Sequence, residues 1–234
     1  MGETVSIPGR FNCPLDSGNG GYSSGVAAGL LEGTVEANLR RPVPLDKPLD
    51  VAREDDGSVR ILDGQELIIE ARPASGPEVD VPAPVSLKEA HQARERYRGV
   101  SGEVFSRCFV CGRDRGDALE VFAGEVEGRE LVASPWTPPA WTADEAGDVR
   151  PEFVWAVLDC PTFFAAYLGE ELPASVLARL TARLDGPVRA GEEHVVMAWP
   201  IEADGRKRHA GAAVLSSEGE TFAVARALMV ELRQ

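Results

Sequence analysis

One acidic residue, Asp159, lies in the middle of an apolar segment, PEFVWAVLDCPTFFAAYLG, at residues 151–169. Pro151 suits the first position of a helix and Gly169 suits its end, and apolar residues on every face predict that this helix is buried. A buried carboxylate is costly unless it is paired or hydrogen-bonded, so Asp159 is a candidate for acid–base chemistry. Pro161 removes a helical hydrogen bond and predicts a kink or break. Alternatively, Asp159 is a solvated or capping residue at a break between two helices.

Small residues dominate an earlier predicted helix, DSGNGGYSSGVAAGLLEG, at residues 16–33. Ser17 or Asn19 is the expected N-cap, and the many small residues indicate that another element packs very close. The first turn of a helix has unpaired N–H groups, and Gly20 and Gly21 have no Cβ to keep a carbonyl or oxyanion away from them. In the simpler interpretation, this is a Gly-rich turn through which the chain enters a sheet.

Cys108 and Cys111 have the spacing of half a zinc site. A second pair is missing, and Cys13, Cys160 and His209 could join only by folding close. A redox role is not supported, because the surrounding sequence has no thioredoxin-like βαβ pattern. We therefore predict no metal site, and expect the pair to pack a turn.

Several other side chains are candidates for ligand contacts. Trp136 and Trp141 belong to a Pro-rich loop before the Asp159 helix, and either line a channel or plug an open end. The basic run Arg206-Lys207-Arg208 could hold an anionic group, although such runs are usually solvated. His209, directly after it, is either a ligand contact or part of an exposed strand.

The same order of elements, one helix followed by four strands, is predicted twice along the chain. Pro42-Val43 in the first copy aligns with Pro187-Val188 in the second, and Asp63-Gly64 and Glu218-Gly219 are hairpin turns. Between the copies, Ser86 and Glu89 predict a capping box on a polar surface helix. The predicted fold is α+β, with an N-terminal module at 1–72, a linker with a surface helix at 73–104 and a C-terminal module at 105–234.

The net charge of −14 over 234 residues argues against nucleic acid and anionic membranes as partners. No stretch is long and apolar enough to predict a membrane span, and the N-terminal sequence does not resemble a signal peptide. Four cysteines do not make a disulfide framework. We therefore expect a cytoplasmic protein.

Three segments resemble the hotdog-fold acyl-CoA thioesterases in their double-hotdog form. CFVCGRDRGDALEVF at residues 108–122 is similar to the Cys-Phe-x-Cys-Gly opening of phenylacetate-type thioesterase sequences. VWAVLDCPTFFAA at residues 154–166 is similar to the helix that carries the family's catalytic carboxylate, and NGGY at residues 19–22 to its helix start. The resemblance implies two tandem modules, each with a central helix wrapped by an antiparallel sheet.

In that family the active site lies between two protomers, one of which supplies the backbone N–H of a glycine at its helix start, and the other the helix carboxylate. Asp159 is nine residues after Arg150, whereas nine residues after Asn19 is Ala28. The first copy therefore has the glycines without an acid, and the second has the acid without the glycines. The resemblance implies one composite site between the modules.

For this site the resemblance implies a thioesterase-like hydrolase of acyl-CoA or acyl-carrier thioesters. Asp159 would act as general base or nucleophile, Gly21 with Gly20 would polarise the carbonyl, and Asn19 would orient the carbonyl or water. The expected substrate-binding residues are Gly20, Tyr22, Ser23, Ser24, Trp136, Trp155, Thr162 and Arg208.

The coenzyme A moiety would belong to the substrate, with no separate cofactor and no metal, in a monomeric pseudo-dimer or a homodimer. One alternative is a non-catalytic acyl-thioester-binding protein of the same fold. A hotdog hydratase or dehydratase is disfavoured because neither predicted helix contains a histidine.

Overall fold

The computed structural model of this chain describes residues 2–13, 16–99 and 106–233. The end of the predicted linker, residues 100–104, and residue 105 at the start of the predicted second module lie outside these ranges. Three α-helices are described: α1 (Gly20–Ala28), α2 (Leu87–Arg94) and α3 (Pro151–Ala166). Two short 3-10 helices occupy Gly9–Phe11 and Ala140–Thr142.

The described strands are β1 (Thr4–Val5), β2 (Val35–Leu39), β3 (Leu49–Arg53), β4 (Val59–Asp63), β5 (Glu66–Pro73), β6 (Gly124–Glu125), β7 (Val132–Trp136), β8 (Ser175–Leu184), β9 (His194–Asp204), β10 (Lys207–Leu215) and β11 (Thr221–Glu231). They form one 11-stranded antiparallel sheet in the order β1-β3-β4-β5-β2-β8-β11-β10-β9-β7-β6.

The two halves of this sheet have the same strand order. The first half runs β3-β4-β5-β2 after α1, and the second runs β9-β10-β11-β8 after α3. The predicted hairpin turns connect β4 to β5 and β10 to β11, with positive φ at Gly64 and Gly219. The chain is therefore a double hotdog with two α+β modules, as expected.

The modules meet where β2 pairs with β8, with Val35 opposite Ala182 and Asn38 opposite Arg179. We call this pairing the seam. Glu36 on β2 accepts hydrogen bonds from Arg72 and Asn38, and its carboxylate lies 3.8 Å from Arg179 on β8. Burial alone would raise the pKa of Glu36, but the hydrogen bond from Asn38 and the charges of Arg179 and Arg72 lower it below its ordinary value.

Helices α1 and α3 pack directly against each other, which confirms that another element approaches the small residues of α1. A Cβ added to Gly21 would lie 2.6 Å from the carbonyl oxygen of Trp155, and one added to Gly25 would lie 2.6 Å from Cα of Glu152. Contacts below 3.0 Å with backbone atoms cannot be accommodated without moving a helix. Glycine at these positions therefore sets the distance between the helices.

Helix α3 runs without interruption through Pro161, so a break at this point was a wrong prediction. The missing hydrogen bond costs free energy, but the helix is buried on all sides, and Phe153, Leu158 and Phe164 are almost inaccessible. Tertiary packing of this kind outweighs the local cost. Asp159 is therefore a residue of the helix interior rather than a cap.

Helix α2 packs on the outer face of the second module's sheet, against β7. Ser86 and Glu89 form the predicted capping box. Ala90 and Ala93 are buried, however, in a second apolar cluster that includes Met197. The helix thus covers sheet surface in addition to connecting the modules. Within the described ranges, no helix has the length and apolarity needed to cross a membrane.

Candidate functional site

The first turn of α1 and the middle of α3 meet through one hydrogen bond between the modules. The backbone N–H of Gly21 donates to Oδ2 of Asp159 at 2.7 Å. A Cβ at Gly21 would lie 2.5 Å from Cβ of Asp159. The structure thus brings together the glycine of the first copy and the acid of the second.

Asn19 forms the N-cap of α1, as one of the two predicted caps. Its side-chain oxygen accepts a hydrogen bond from the N–H of Tyr22, and its side-chain nitrogen contacts the sulfur of Cys160 at 3.7 Å. The side-chain amide is buried, and both its oxygen and its nitrogen make contacts. Its position is consequently fixed at the start of the helix.

Gly20 offers a further donor in this first turn. The N–H of Asn19 donates to Phe11 and that of Gly21 to Asp159, while no described residue accepts a hydrogen bond from the N–H of Gly20. Gly20 borders the cavity described below. Polarisation of a carbonyl was expected mainly from Gly21, but its N–H is occupied by Asp159 in this structure, so Gly20 is the available donor.

The carboxyl group of Asp159 is buried, with 6 % of the residue exposed. Loss of hydration raises its pKa to about 7, although the hydrogen bond from Gly21 partly opposes this, and the nearby Cys108 adds to the increase. The hydroxyl of Thr162 donates a hydrogen bond to the main-chain carbonyl oxygen of Asp159 at 2.6 Å. A carboxyl group in this environment can exchange a proton near neutral pH.

An apolar cavity of about 560 Å³ opens beside Asp159 at the seam. Its walls come from the end of β2, the start of β8, the end of β11 and the middle of α3. Asn19, Gly20 and Asp159 supply polar groups at its base, and apolar side chains, among them Phe163, Phe164, Leu177, Val230 and Met229, supply most of the rest. A cavity with few polar groups on an apolar lining is typical of small-molecule sites.

Seven residues that were predicted to contact a substrate do not line this cavity: Tyr22, Ser23, Ser24, Trp136, Trp155, Thr162 and Arg208. All except Arg208 are buried in packing positions. Tyr22 packs against Phe11 and Phe153. Direct substrate contact by these side chains is therefore not supported.

The candidates of the Pro-rich loop and the basic run occupy structural positions. Trp136 packs near His194, and the half-exposed Trp141 stacks under Arg10, so neither lines the cavity. Arg208 forms ion pairs with Glu170 and Glu231, and His209 lies near Glu202. Arg208 is therefore held by carboxylates of the chain itself, and none of the described residues that line the cavity comes from the basic run.

Other cavity residues were missed from the sequence. Arg40 and Arg41 border the cavity and are about half exposed, where they pair with Glu70 and Glu66. Their position directly after β2 could have been inferred from the aligned Pro42-Val43 turn. Cys13 and Cys160 also line the cavity and lie beside Cys108, so two of the three residues that could join the Cys108–Cys111 pair only by folding close are near it.

Comparison with solved structures identifies the architecture. The tesB protein of Mycobacterium avium subspecies paratuberculosis is 13% identical, with a TM-score of 0.64 over 98% of this chain and 92% of that one. A hot dog fold protein of unknown function from Alicyclobacillus acidocaldarius is 11% identical, with a TM-score of 0.63 over 99% and 93% of the two chains. The acyl-CoA thioesterase II TesB2 of Mycobacterium marinum is 12% identical, with a TM-score of 0.58 over 99% and 93%.

No protein-family model matches the chain, and no curated protein matches it by sequence. The structural similarity covers both modules and nearly the full length of each compared chain. At these identities it establishes the fold, and the chain therefore has the double-hotdog architecture.

Proposed function

We propose that this protein hydrolyses acyl thioesters at the cavity between its two modules, with Asp159 as the catalytic group. The observation that carries this proposal is the hydrogen bond from Gly21 to Asp159 at the base of the apolar cavity. It places a buried carboxylate beside the N-terminal end of a helix. A general base and a partly positive helix end are what ester hydrolysis by water requires.

In this proposal the thioester carbonyl lies at the start of α1. Its oxygen accepts a hydrogen bond from the N–H of Gly20, which is free of other described partners and borders the cavity. The helix dipole adds to the polarisation, because negative charge is stabilised near a helix N-terminus. Gly21 instead orients the carboxylate of Asp159, and Asn19 holds the turn in place.

Asp159 accepts a proton from a water molecule, and the water oxygen attacks the carbonyl carbon. The resulting tetrahedral intermediate carries its negative charge on the oxygen beside Gly20. Its collapse breaks the carbon–sulfur bond and releases the thiolate, which takes the proton back from Asp159. The products are a carboxylic acid and a thiol, and the reaction uses water without a bound cofactor.

The acyl group would occupy the apolar part of the cavity, next to Phe163, Leu177 and Met229. The thiol portion would leave through the mouth, where Arg40 and Arg41 are exposed to solvent. Guanidinium groups are suited to bind phosphate. Coenzyme A, which carries phosphates, is therefore the proposed thiol carrier.

The test measures the hydrolysis of a panel of acyl-CoA thioesters by detecting the free thiol that is released. Asp159→Asn and Asp159→Ala should each lower kcat/KM by about 10²- to 10⁴-fold, the usual contribution of a general base. Glu152→Gln is the matched control, because Glu152 lies on the same helix, is paired with Arg150 and does not line the cavity. Wild-type turnover by both Asp159 variants would refute the catalytic role.

A non-catalytic acyl-thioester-binding protein is the second candidate. It is favoured by the engagement of the Gly21 N–H with Asp159, since this donor is then unavailable to a carbonyl. In that case calorimetry would detect binding of acyl-CoA to the wild-type protein, and no thioester in the panel would be hydrolysed. The hydratase alternative has no support, because none of the described residues that line the cavity is a histidine.

A further inference from the structure

All four cysteines of the chain converge beside the cavity. The sulfur atoms of Cys108, Cys111 and Cys160 lie within 4.8 Å of one another, and those of Cys108 and Cys160 are 3.6 Å apart. Cys13 neighbours Cys108 but lies outside this group of three. Three separate parts of the chain contribute: the segment before α1, the turn at residues 108–112 and helix α3.

The separation of the Cys108 and Cys160 sulfur atoms suits a tetrahedral thiolate site. Zinc–sulfur bonds of about 2.3 Å place the sulfur atoms of a tetrahedron about 3.8 Å apart. The Cys108–Cys160 separation of 3.6 Å is close to this value. A disulfide requires a sulfur–sulfur bond of about 2.05 Å, so the pair is not bonded in this structure.

The turn between Cys108 and Cys111 is arranged around the sulfur atoms. The N–H of Val110 donates a hydrogen bond to the sulfur of Cys108 at 3.4 Å. A Cβ at Gly112 would lie 2.6 Å from both the nitrogen and the oxygen of Cys108, so the tight turn requires glycine there. This geometry points both sulfur atoms of the pair to one side.

Asn19 supplies a second set of donors to the cluster. Its side-chain nitrogen lies 3.7 Å from the sulfur of Cys160 and 4.0 Å from that of Cys108. Groups that donate hydrogen bonds to metal-bound ligands stabilise the thiolate form and tune metal affinity. Buried cysteines can pack simply as small apolar residues, but packing alone does not explain why N–H donors from two modules face the sulfur of Cys108.

We propose that Cys13, Cys108, Cys111 and Cys160 bind one Zn²⁺ ion in a closed structural site. Each cysteine binds as a thiolate, so zinc replaces the four thiol protons, which are released to solvent. The ion ties the first module to the turn and to α3 of the second module. Cys160 directly follows Asp159, so the ion also fixes the segment of α3 that faces Gly21.

The test begins with the wild-type protein, expressed with zinc and purified under reducing conditions. Elemental analysis should give one zinc per chain, and replacement by Co²⁺ should produce a sulfur-to-cobalt charge-transfer band with the visible bands of tetrahedral cobalt. Removal of zinc with a chelator should lower Tm. These measurements need neither variants nor activity, so they are independent of the proposed hydrolysis.

Variants then assign the ligands. Cys13→Ser, Cys111→Ser and Cys160→Ser should each lose the stoichiometric zinc and the charge-transfer band. Asn19→Ser keeps a capping oxygen but removes the amide donor, and should weaken metal affinity by about 10- to 100-fold. Thr162→Val is the matched control on α3, because its hydroxyl bonds to the carbonyl of Asp159 rather than to a cysteine, and it should retain zinc.

A wild-type protein that has four free thiols, contains no zinc and gives no cobalt–thiolate band would overturn the proposal. A disulfide within the cluster of the zinc-supplemented, reduced protein, detected by intact mass, would also overturn it. Undiminished zinc binding by Cys13→Ser would contradict the four-cysteine site.

Discussion

The backbone N–H of Gly21 and the carboxylate of Asp159, 138 positions apart in the chain, form a hydrogen bond of 2.7 Å. The bond connects the first turn of α1 to the middle of α3. It requires that the two helices approach closely, and the absence of a side chain at Gly21 and Gly25 permits this approach. The position of Asp159 therefore depends on packing in both modules.

Gly21→Ala should destabilise the protein and reduce its activity. The added Cβ would meet Asp159 and the main chain of Trp155 at 2.5 and 2.6 Å, so the helices must separate. Overpacking of this kind costs about 1–3 kcal/mol, measurable by chemical denaturation. Gly29→Ala is the matched control, since its nearest neighbours are at 3.5 Å and its φ is −63°. Equal stability of the two variants would contradict the prediction.

In the proposed hydrolysis, Phe163→Ala should shift the substrate preference towards longer acyl chains. Phe163 lines the cavity and packs against Phe164 and Tyr167, so its removal extends the apolar space. Each additional buried methylene is worth about 0.8 kcal/mol, which corresponds to about a fourfold gain in kcat/KM relative to a shorter substrate. Phe222→Ala, at a half-buried position near His194 outside the cavity, should leave the preference unchanged.

Arg41→Ala should weaken the binding of acyl-CoA but not that of a short thioester without phosphates. The Arg41 side chain is 57 % exposed where it borders the cavity, and a contact of this kind contributes about 1 kcal/mol, so its loss corresponds to about a fivefold increase in KM. Arg60→Ala, at an exposed ion pair with Glu54, is the control. Equal increases in KM for both substrates would exclude recognition of phosphate by Arg41.

Glu36→Gln should reduce stability at neutral pH but not in acid. The folded state lowers the pKa of Glu36 below the ordinary value of 4.5, so its stabilisation is complete above that value and disappears as the pH falls through the lower folded pKa. The contribution should be at most about 1 kcal/mol, because the ion pairs are partly exposed. Denaturation of both proteins across this range should give curves that converge in acid.

Glu66→Gln is the control variant for the pH-dependent loss of stability in Glu36→Gln. The side chain of Glu66 is 61 % exposed in its pair with Arg41, away from the seam. Its replacement should change stability little at any pH. A constant difference between Glu36→Gln and the wild-type protein, including in acid, would exclude the seam carboxylate as its source.

The order of elements was predictable because it depends on local patterns. Gly64 and Gly219 occupy hairpin turns, and Asn19 and Ser86 cap their helices as their sequence positions suggest. Continuity of α3 through Pro161 was not predictable, because burial against α1 and the strands of the second module overrides a local signal that favours a break.

The site was predictable only where a local pattern marks a residue. Asp159 is conspicuous as an acid in an apolar helix, and Gly20 and Gly21 as a pair at a helix start. Convergence of Cys13 with Cys108 depends on how three segments pack, which spacing along the chain does not encode. Trp136 illustrates the opposite case, because this aromatic residue of a predicted loop is the last residue of β7 and fills the core.

The seam affects whether the cavity persists when the protein is diluted. Sites between separate subunits are lost when the subunits dissociate at low concentration. Here β2 and β8 belong to one chain, so the two walls of the cavity are held at a fixed effective concentration. The cavity at the seam is thus an intramolecular property of each chain, whatever larger assembly that chain enters.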